Sequence, residues 1–299
     1  MEYQQYLKPD CMEYQNDSSK HVPKLMQTYQ NYASTLNQGD SLYLIDRWNN
    51  RTNLLVYNTV SDSKQTKILK TPEPLDCNTC IAQLPNGKLF CYGKNFPISG
   101  ITLIIDENGG VQKLPSGVSC YWSSAIYFNN NVYCFGGIGR HMNALALSRR
   151  FDLDRNRWVE LASMPQADCS CSSVIFNGNI LISGSCYRSL LLYSIDIDSF
   201  STIPSNFKAN TLKILICAER RLYLIECDFY GKLYESDIGS YTFWRIIGRS
   251  ASFFPFSFQV YWLYNAGQIY IGSIKSNMIA FFKFNLDEQN IVELERFPL

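Results

Sequence analysis

One short pattern recurs along the chain and limits what it can fold into. A turn rich in Asn, Gly or charge is followed by an alternating apolar strand that often ends in Gly. It runs through Gly39-Asp40-Ser41-Leu42-Tyr43-Leu44-Ile45, Asn86-Gly87-Lys88-Leu89-Phe90-Cys91-Tyr92-Gly93 and Asn129-Asn130-Asn131-Val132-Tyr133-Cys134-Phe135-Gly136-Gly137. It returns in Asn177-Gly178-Asn179-Ile180-Leu181-Ile182-Ser183-Gly184, and more weakly in Glu219-Arg220-Arg221-Leu222-Tyr223-Leu224-Ile225 and Ala266-Gly267-Gln268-Ile269-Tyr270-Ile271-Gly272. The first apolar residue after each turn is Leu42, Leu89, Val132, Ile180, Leu222 or Ile269, giving steps of 47, 43, 48, 42 and 47 residues. Self-similarity at such a period marks an array of small structural units, none of which buries its apolar face alone.

The surroundings of each copy define the unit. An apolar strand precedes the turn, as in Ser124-Ala125-Ile126-Tyr127-Phe128 and Ser173-Val174-Ile175-Phe176. The Asn-Asn and Asn-Gly pairs then tolerate the positive φ of a tight hairpin. A third strand follows a looser connector, at 54–57, 102–105, 148–151, 191–195, 233–236 and 281–284, and most run into Asp or Asn. A fourth closes the unit, as in Trp158-Val159-Glu160-Leu161 and Trp244-Arg245-Ile246-Ile247. Pro follows several of these fourth strands, where no ladder donor is needed. Four short strands per unit, six units and no helical periodicity predict an all-β, six-bladed β-propeller with four antiparallel strands per blade. The blades are expected at about 31–76, 77–118, 119–165, 166–207, 208–250 and 251–299, forming one closed domain. Residues 1–30 read as a polar leader, disordered or lying on the propeller.

The third unit resembles the kelch repeat. Tyr133, Gly136 and Gly137 match the Tyr and double glycine that end the family's second strand; Phe151-Asp152 and Asn156-Arg157-Trp158 match its later aromatic-Asp and spaced Trp. The resemblance covers 31–299, with only this unit near consensus, and implies a kelch-type propeller. In such a ring the glycines let blades pack near the axis, and the aromatics fill the wedges between them.

The composition narrows the function. Lys+Arg number 27 and Asp+Glu 26, a net charge of +1, which argues against a nucleic-acid-coating protein. No apolar run approaches the ~20 residues that span a bilayer, and the polar N-terminus does not read as a signal peptide. The odd count of 11 cysteines then suits reduced thiols and a cytoplasmic setting. Cys77 with Cys80 has ligand-like spacing and Cys169 with Cys171 fits poorly, so no metal site or cofactor is expected and most thiols read as small core residues. Cys77 and Cys120 lie twelve residues before Leu89 and Val132, and Cys80 and Cys171 nine before Leu89 and Ile180, which puts all four near one mouth of the channel. A thiol sensor there is conceivable, but packing is the plainer reading. The two histidines, His21 and His141, exclude multi-histidine metal sites, and one histidine within the ring excludes the copper oxidases of the kelch superfamily.

No catalytic residue is assigned. The resemblance implies a non-catalytic protein–protein interaction platform, monomeric within a larger complex, with no nucleic-acid or membrane partner. Its expected partner-binding residues lie on or beside the connectors between second and third strands: Arg47, Trp48, Arg51, Lys94, Arg140, His141, Tyr187, Arg188, Tyr230 and Lys275. Arg with Tyr and Trp is the composition of a hot-spot surface, here one suited to an acidic peptide. The alternative is a propeller-type hydrolase, sialidase-like or similar, with a pocket at the channel mouth near Arg140 and His141. Ser236-Asp237-Ile238-Gly239 vaguely resembles a sialidase Asp box, but its spacing is wrong.

Overall fold

In a computed structural model the chain is a ring of six antiparallel sheets, taken in sequence order. The structure describes residues 40–48, 51–72, 75, 79–95, 99–218, 221–227, 231–236, 244–249, 260–265, 268–275, 278–285 and 290–298, some of them as backbone only. The 1–30 leader and 31–39 lie outside the described residues.

Blade 1 holds β1 (Ser41–Trp48), β2 (Arg51–Asn58) and β3 (Ser63–Leu69), and blade 2 holds β4 (Cys80–Gln83), β5 (Leu89–Asn95), β6 (Ser99–Ile105) and β7 (Val111–Lys113). Blade 3 is β8 (Ser124–Phe128), β9 (Asn131–Phe135), β10 (Ser148–Asp152) and β11 (Arg157–Glu160); blade 4 is β12 (Ser172–Phe176), β13 (Asn179–Ser183), β14 (Leu190–Ser194) and β15 (Ser199–Ile203). Blade 5 is β16 (Leu212–Ala218), β17 (Arg221–Cys227), β18 (Lys232–Ser236) and β19 (Trp244–Arg249); blade 6 is β20 (Val260–Asn265), β21 (Gln268–Lys275), β22 (Met278–Asn285) and β23 (Asn290–Pro298). Five blades thus have the expected four strands, and blade 1 has three among the described residues. Its expected first strand falls before Asp40, outside the described residues; among those described, β1 lines the channel with β4, β8, β12, β16 and β20.

The local signals explain most hairpins. Asn129 and Asn130 take φ of 47° and 59°, and Asn177 and Gly178 take 50° and 74°, as a primed turn between right-twisted strands requires. Blade 2 departs from this pattern. Pro85 cannot adopt positive φ, so Pro85–Gly87 form a 3-10 turn and only Gly87 is left-handed, at 70°. The acidic and amide residues after third strands act as turn acceptors. Asn58 Oδ1 accepts from the Val60 and Ser61 amides, Asp106 Oδ1 from Asn108 and Gly110, and Asp152 Oδ1 from Arg155.

Stability lies between the blades, because a single twisted sheet leaves both faces apolar. Separate apolar clusters fill five of the wedges: Ile45, Leu54 and Leu103 between blades 1 and 2; Phe90, Tyr92 and Phe151 between 2 and 3; Phe135, Ile182 and Tyr193 between 3 and 4. Val174, Leu181 and Leu224 serve between 4 and 5, and Ile216, Ile271 and Phe282 between 5 and 6. Trp158 shows how the repeat's aromatics work. Its ring lies 4.8 Å from Tyr92, 5.2 Å from Phe151 and 6.0 Å from Phe90, so a blade 3 side chain grips blade 2. Its Nε1 donates to Pro115 O at 3.1 Å. Trp244 packs likewise on Phe207, 5.3 Å away. The ring closes where β1 meets β20 and β21, with Leu42 and Leu44 seated on Gly272 and Asn265 Nδ2 donating to Thr59 Oγ1 at 2.8 Å.

The double glycine works as the repeat implies. Gly136 has φ +64°, and a Cβ there would stand 2.5 Å from Cys171 Sγ and 2.7 Å from Asp168 O of the next blade. Gly178 has φ +74° with nothing within 4 Å of a would-be Cβ. In chemical denaturation, Gly136→Ala is therefore expected to cost about 3 kcal/mol, combining left-handed strain with overpacking, and Gly178→Ala about 1 kcal/mol, from strain alone. Equal losses would show that crowding at the axis is not what selects glycine.

A second expectation concerns acid. Glu235 on β18 is buried and bridges Arg221 on β17, at 2.8 Å, and Arg245 on β19. Burial alone would raise its carboxyl, but Arg245 and Arg221 outweigh this and hold it below the usual carboxylate range. A lowered folded-state pKa gives stability that is present above the unfolded value and lost as pH falls through the folded one. Urea titrations should therefore show the gap between wild type and Glu235→Gln narrowing from pH 7 to pH 3. A gap that stays constant would mean that the bridge adds nothing.

Candidate functional site

The connectors between second and third strands are unequal, which changes the expected ring of cations. Only residues 49–50 separate β1 from β2, 96–98 separate β5 from β6, and 276–277 separate β21 from β22. The strand alternation runs on to these tight turns, so Arg47, Trp48, Arg51, Lys94 and Lys275 are strand residues, with Trp48 paired to Arg51 and Lys275 to Met278. The Arg51 side chain is exposed; Arg47, Trp48, Lys94 and Lys275 are described as backbone only, and Tyr230 lies outside the described residues. Lys232 begins β18, and its Nζ lies 3.6 Å from Glu226, so blade 5's cation is already paired.

Long connectors remain over blades 3 and 4, at 136–147 and 184–189. The first is a small hairpin of its own: Ile138 bridges Tyr121 and Ala144, Leu145 bridges Asp168, and Gly139 N donates to Asn143 O at 2.9 Å. Its tip presents Arg140, His141 and Met142 to solvent, Met142 being 52% exposed at φ 61°. Tyr121 Oη contacts the Met142 thioether and stacks edge-on with Trp122 at 5.2 Å. The blade 4 connector places Tyr187 half-buried and Arg188 exposed. Ser205 Oγ donates to Arg188 O. Of the ten expected residues, the structure thus sets Arg140, His141, Tyr187 and Arg188 on the two long connectors.

Beneath them lies a buried polar floor. Asp168 N donates to Leu145 O and Gly137 N donates to Asp168 O, which ties it to the blade 3 hairpin. Its Oδ1 accepts from the amides of Cys169 at 2.7 Å and Cys186 at 3.0 Å, and its carboxylate lies so close over Gly184 that no Cβ fits there. Burial raises the Asp168 carboxyl. Lys213, the second residue of β16, is fully buried and donates three bonds: to Tyr187 O at 2.8 Å, and to Gly184 O and Thr211 O at 3.1 Å each. Burial lowers its pKa to about 8, so the ammonium form persists at neutral pH beside the charges of Asp168 and Glu226. The thiols of Cys169 and Cys186 share a hydrogen bond that draws Cys169 below its ordinary range and pushes Cys186 up.

The sequence reading missed Lys213, Asp168 and Cys186. One signal was there. A lysine inside the apolar strand Leu212-Lys213-Ile214-Leu215-Ile216 needs buried acceptors. Cys169 and Cys171, whose spacing fits a ligand pair poorly, have different surroundings: Cys169 meets Cys186, and Cys171 lines the channel. Cys80 also lines the channel, with Sγ 2.8 Å from Ser123 Oγ. Cys77 is outside the described residues. Burial raises the thiols of Cys91, Cys120, Cys134 and Cys171.

Two cavities accompany the site. The central channel, about 110 Å³, is lined by all six blades, with serines and thiols from blades 1 to 4, Lys213 from blade 5 and Trp262 from blade 6. A cleft of about 410 Å³ between blades 2 and 3 on the opposite face has Leu84, Leu114, Phe151 and Leu153 on its floor and Lys88, Gln112, Asn130 and Asn156 at its rim. Among the described residues neither lining includes Asp, Glu or His. No helix among the described residues is long and apolar enough to cross a membrane.

No family model matches the chain. Over 97 residues it is 29% identical to kelch domain-containing protein 8B of Rattus norvegicus and of Mus musculus, a match covering 31% of this chain and 27% of each relative. The chain therefore spans about a quarter of the length of these relatives. This partial likeness and the six-bladed ring together support a kelch-repeat β-propeller family.

The floor makes a direct prediction. Lys213→Met keeps the volume but leaves Gly184 O, Tyr187 O and Thr211 O without their donor and Asp168 without its counter-charge. It should destabilise the fold by about 3 kcal/mol, the scale for breaking a buried pair, as read from the denaturant midpoint. A loss under about 1 kcal/mol would mean that the connector backbone finds other donors.

Proposed function

We propose that this kelch-type ring is a non-catalytic protein-interaction platform whose docking edge is the pair of long connectors over blades 3 and 4. The observation that carries the reading is the arrangement at that edge. Arg140, His141 and Arg188 are exposed, with Met142 and half-buried Tyr187 beside them, on connectors whose backbone is fastened to Asp168 and Lys213. Exposed guanidinium and aromatic groups on a backbone ordered in advance give contact at small entropic cost. Their charge suits an acidic segment of a protein partner, steering its approach and setting its register.

The partial likeness to a kelch domain-containing protein supports a scaffold role. A cytoplasmic setting and a monomeric ring within a larger complex belong to the same proposal. A reducing compartment suits nine described free cysteines.

Affinity capture from native lysate with mass spectrometry tests this when wild type is compared with the double variant Arg140→Glu plus Arg188→Glu. A partner with an acidic segment should be retained by wild type, lost at least tenfold in the variant and weakened by added salt. A partner held equally by the folded variant would place docking elsewhere on the ring.

A further inference from the structure

We propose that Asp168, Cys169 and Cys186 form a binding site for one thiophilic divalent cation, zinc being the natural occupant, under the blade 4 connector. The ligand atoms come from two segments far apart in the blade: the chain entering β12 and the turn between β13 and β14. One carboxylate oxygen and the two Sγ atoms all lie within 4.8 Å of one another. Ligands around a tetrahedral zinc are separated by about 3.7 Å, given bonds of about 2.3 Å to sulfur and slightly less to oxygen. Small side-chain rotations therefore close the three onto a common centre. Two sulfurs and one carboxylate select against calcium and magnesium, which take oxygen.

The surroundings are those of a held ligand set. Asp168 Oδ1 accepts from both cysteine amides, which holds the carboxylate beside the two cysteines. Ser185 Oγ donates to Cys169 O at 2.9 Å and lies 3.5 Å from Cys169 Sγ. Such outer contacts orient ligands and tune their affinity. Cys186 is half-buried, whereas Asp168 and Cys169 are buried, so Cys186 is the side from which the ion enters, and the fourth position falls to water.

Lys213 has its three protons directed at carbonyls, so it is a counter-charge and not a ligand. Binding exchanges two thiol protons for one divalent ion: M²⁺ plus two R–SH gives M(SR)₂ plus two H⁺.

The test uses the full chain, reduced and stripped with a chelator, then titrated with Co²⁺ and afterwards Zn²⁺. One equivalent of Co²⁺ should produce thiolate-to-cobalt charge-transfer absorption, release about two protons and be displaced by Zn²⁺. Cys186→Ser, at a half-exposed position where folding is retained, should weaken binding at least tenfold. Cys171→Ser, a neighbouring thiol outside the cluster, should bind as wild type does. Absence of the charge-transfer band in reduced wild type, or its survival unchanged in Cys186→Ser, overturns the site. The readout is metal binding itself, so it does not depend on whether the connectors dock a partner.

Discussion

The close approach of the chain around Asp168 is the constraint on which blades 3, 4 and 5 depend. Its main chain bonds to the blade 3 hairpin, its carboxylate lies over Gly184, and Lys213 reaches the same place from blade 5. Gly136 and Gly184 are glycine because this strand entry occupies the space that a side chain would need. The buried charges do not make the ring more stable than apolar residues of similar volume would, because desolvation offsets much of their attraction. What they supply is definition: two carbonyls and one amide of the blade 4 connector have assigned partners, leaving its backbone few alternatives.

Around that centre the stability is modular. Five of the wedges each have their own apolar cluster, contributed by two neighbouring blades, and among the described residues no cluster spans the axis. The sixth contact differs in kind, since β1 must find β20 and β21 across nearly the whole chain. Tyr57 and Tyr270, with ring centroids 6.1 Å apart, mark this junction. Neighbouring blades make contacts of moderate sequence separation, while closure carries the largest loop entropy, so the ring gains its last interface at the greatest entropic cost.

Much of this was legible from sequence, for physical reasons. The turns Asn129-Asn130 and Asn177-Gly178 state their geometry locally, because few other residues accept positive φ twice in succession. Trp158 and the double glycine declare wedge and axis by size alone. Connector length was not legible in the same way. The residues Arg47-Trp48-Asn49-Asn50-Arg51 read as a polar loop, yet the ladder of β1 and β2 continues through Arg47, Trp48 and Arg51. Nor was the floor legible. Lys213 and Gly184 are 29 residues apart and belong to different blades. No local pattern says which strand of one unit will face which connector of the previous one. Cys186 carries no mark of its own; its meaning comes from Asp168 and Cys169 arriving from the strand entry.

The unequal connectors give a nearly sixfold ring a direction. Blades 1 and 6 have the short turns 49–50 and 276–277, and they flank the junction where the circle closes. In a six-membered ring the interface between blades 3 and 4 lies diametrically opposite that junction. The tall side of the rim is thus as far as the architecture allows from the interface that completes the circle. A load applied to the tall side is borne by covalently consecutive blades and reaches the closing seam only after passing through two further wedges in either direction.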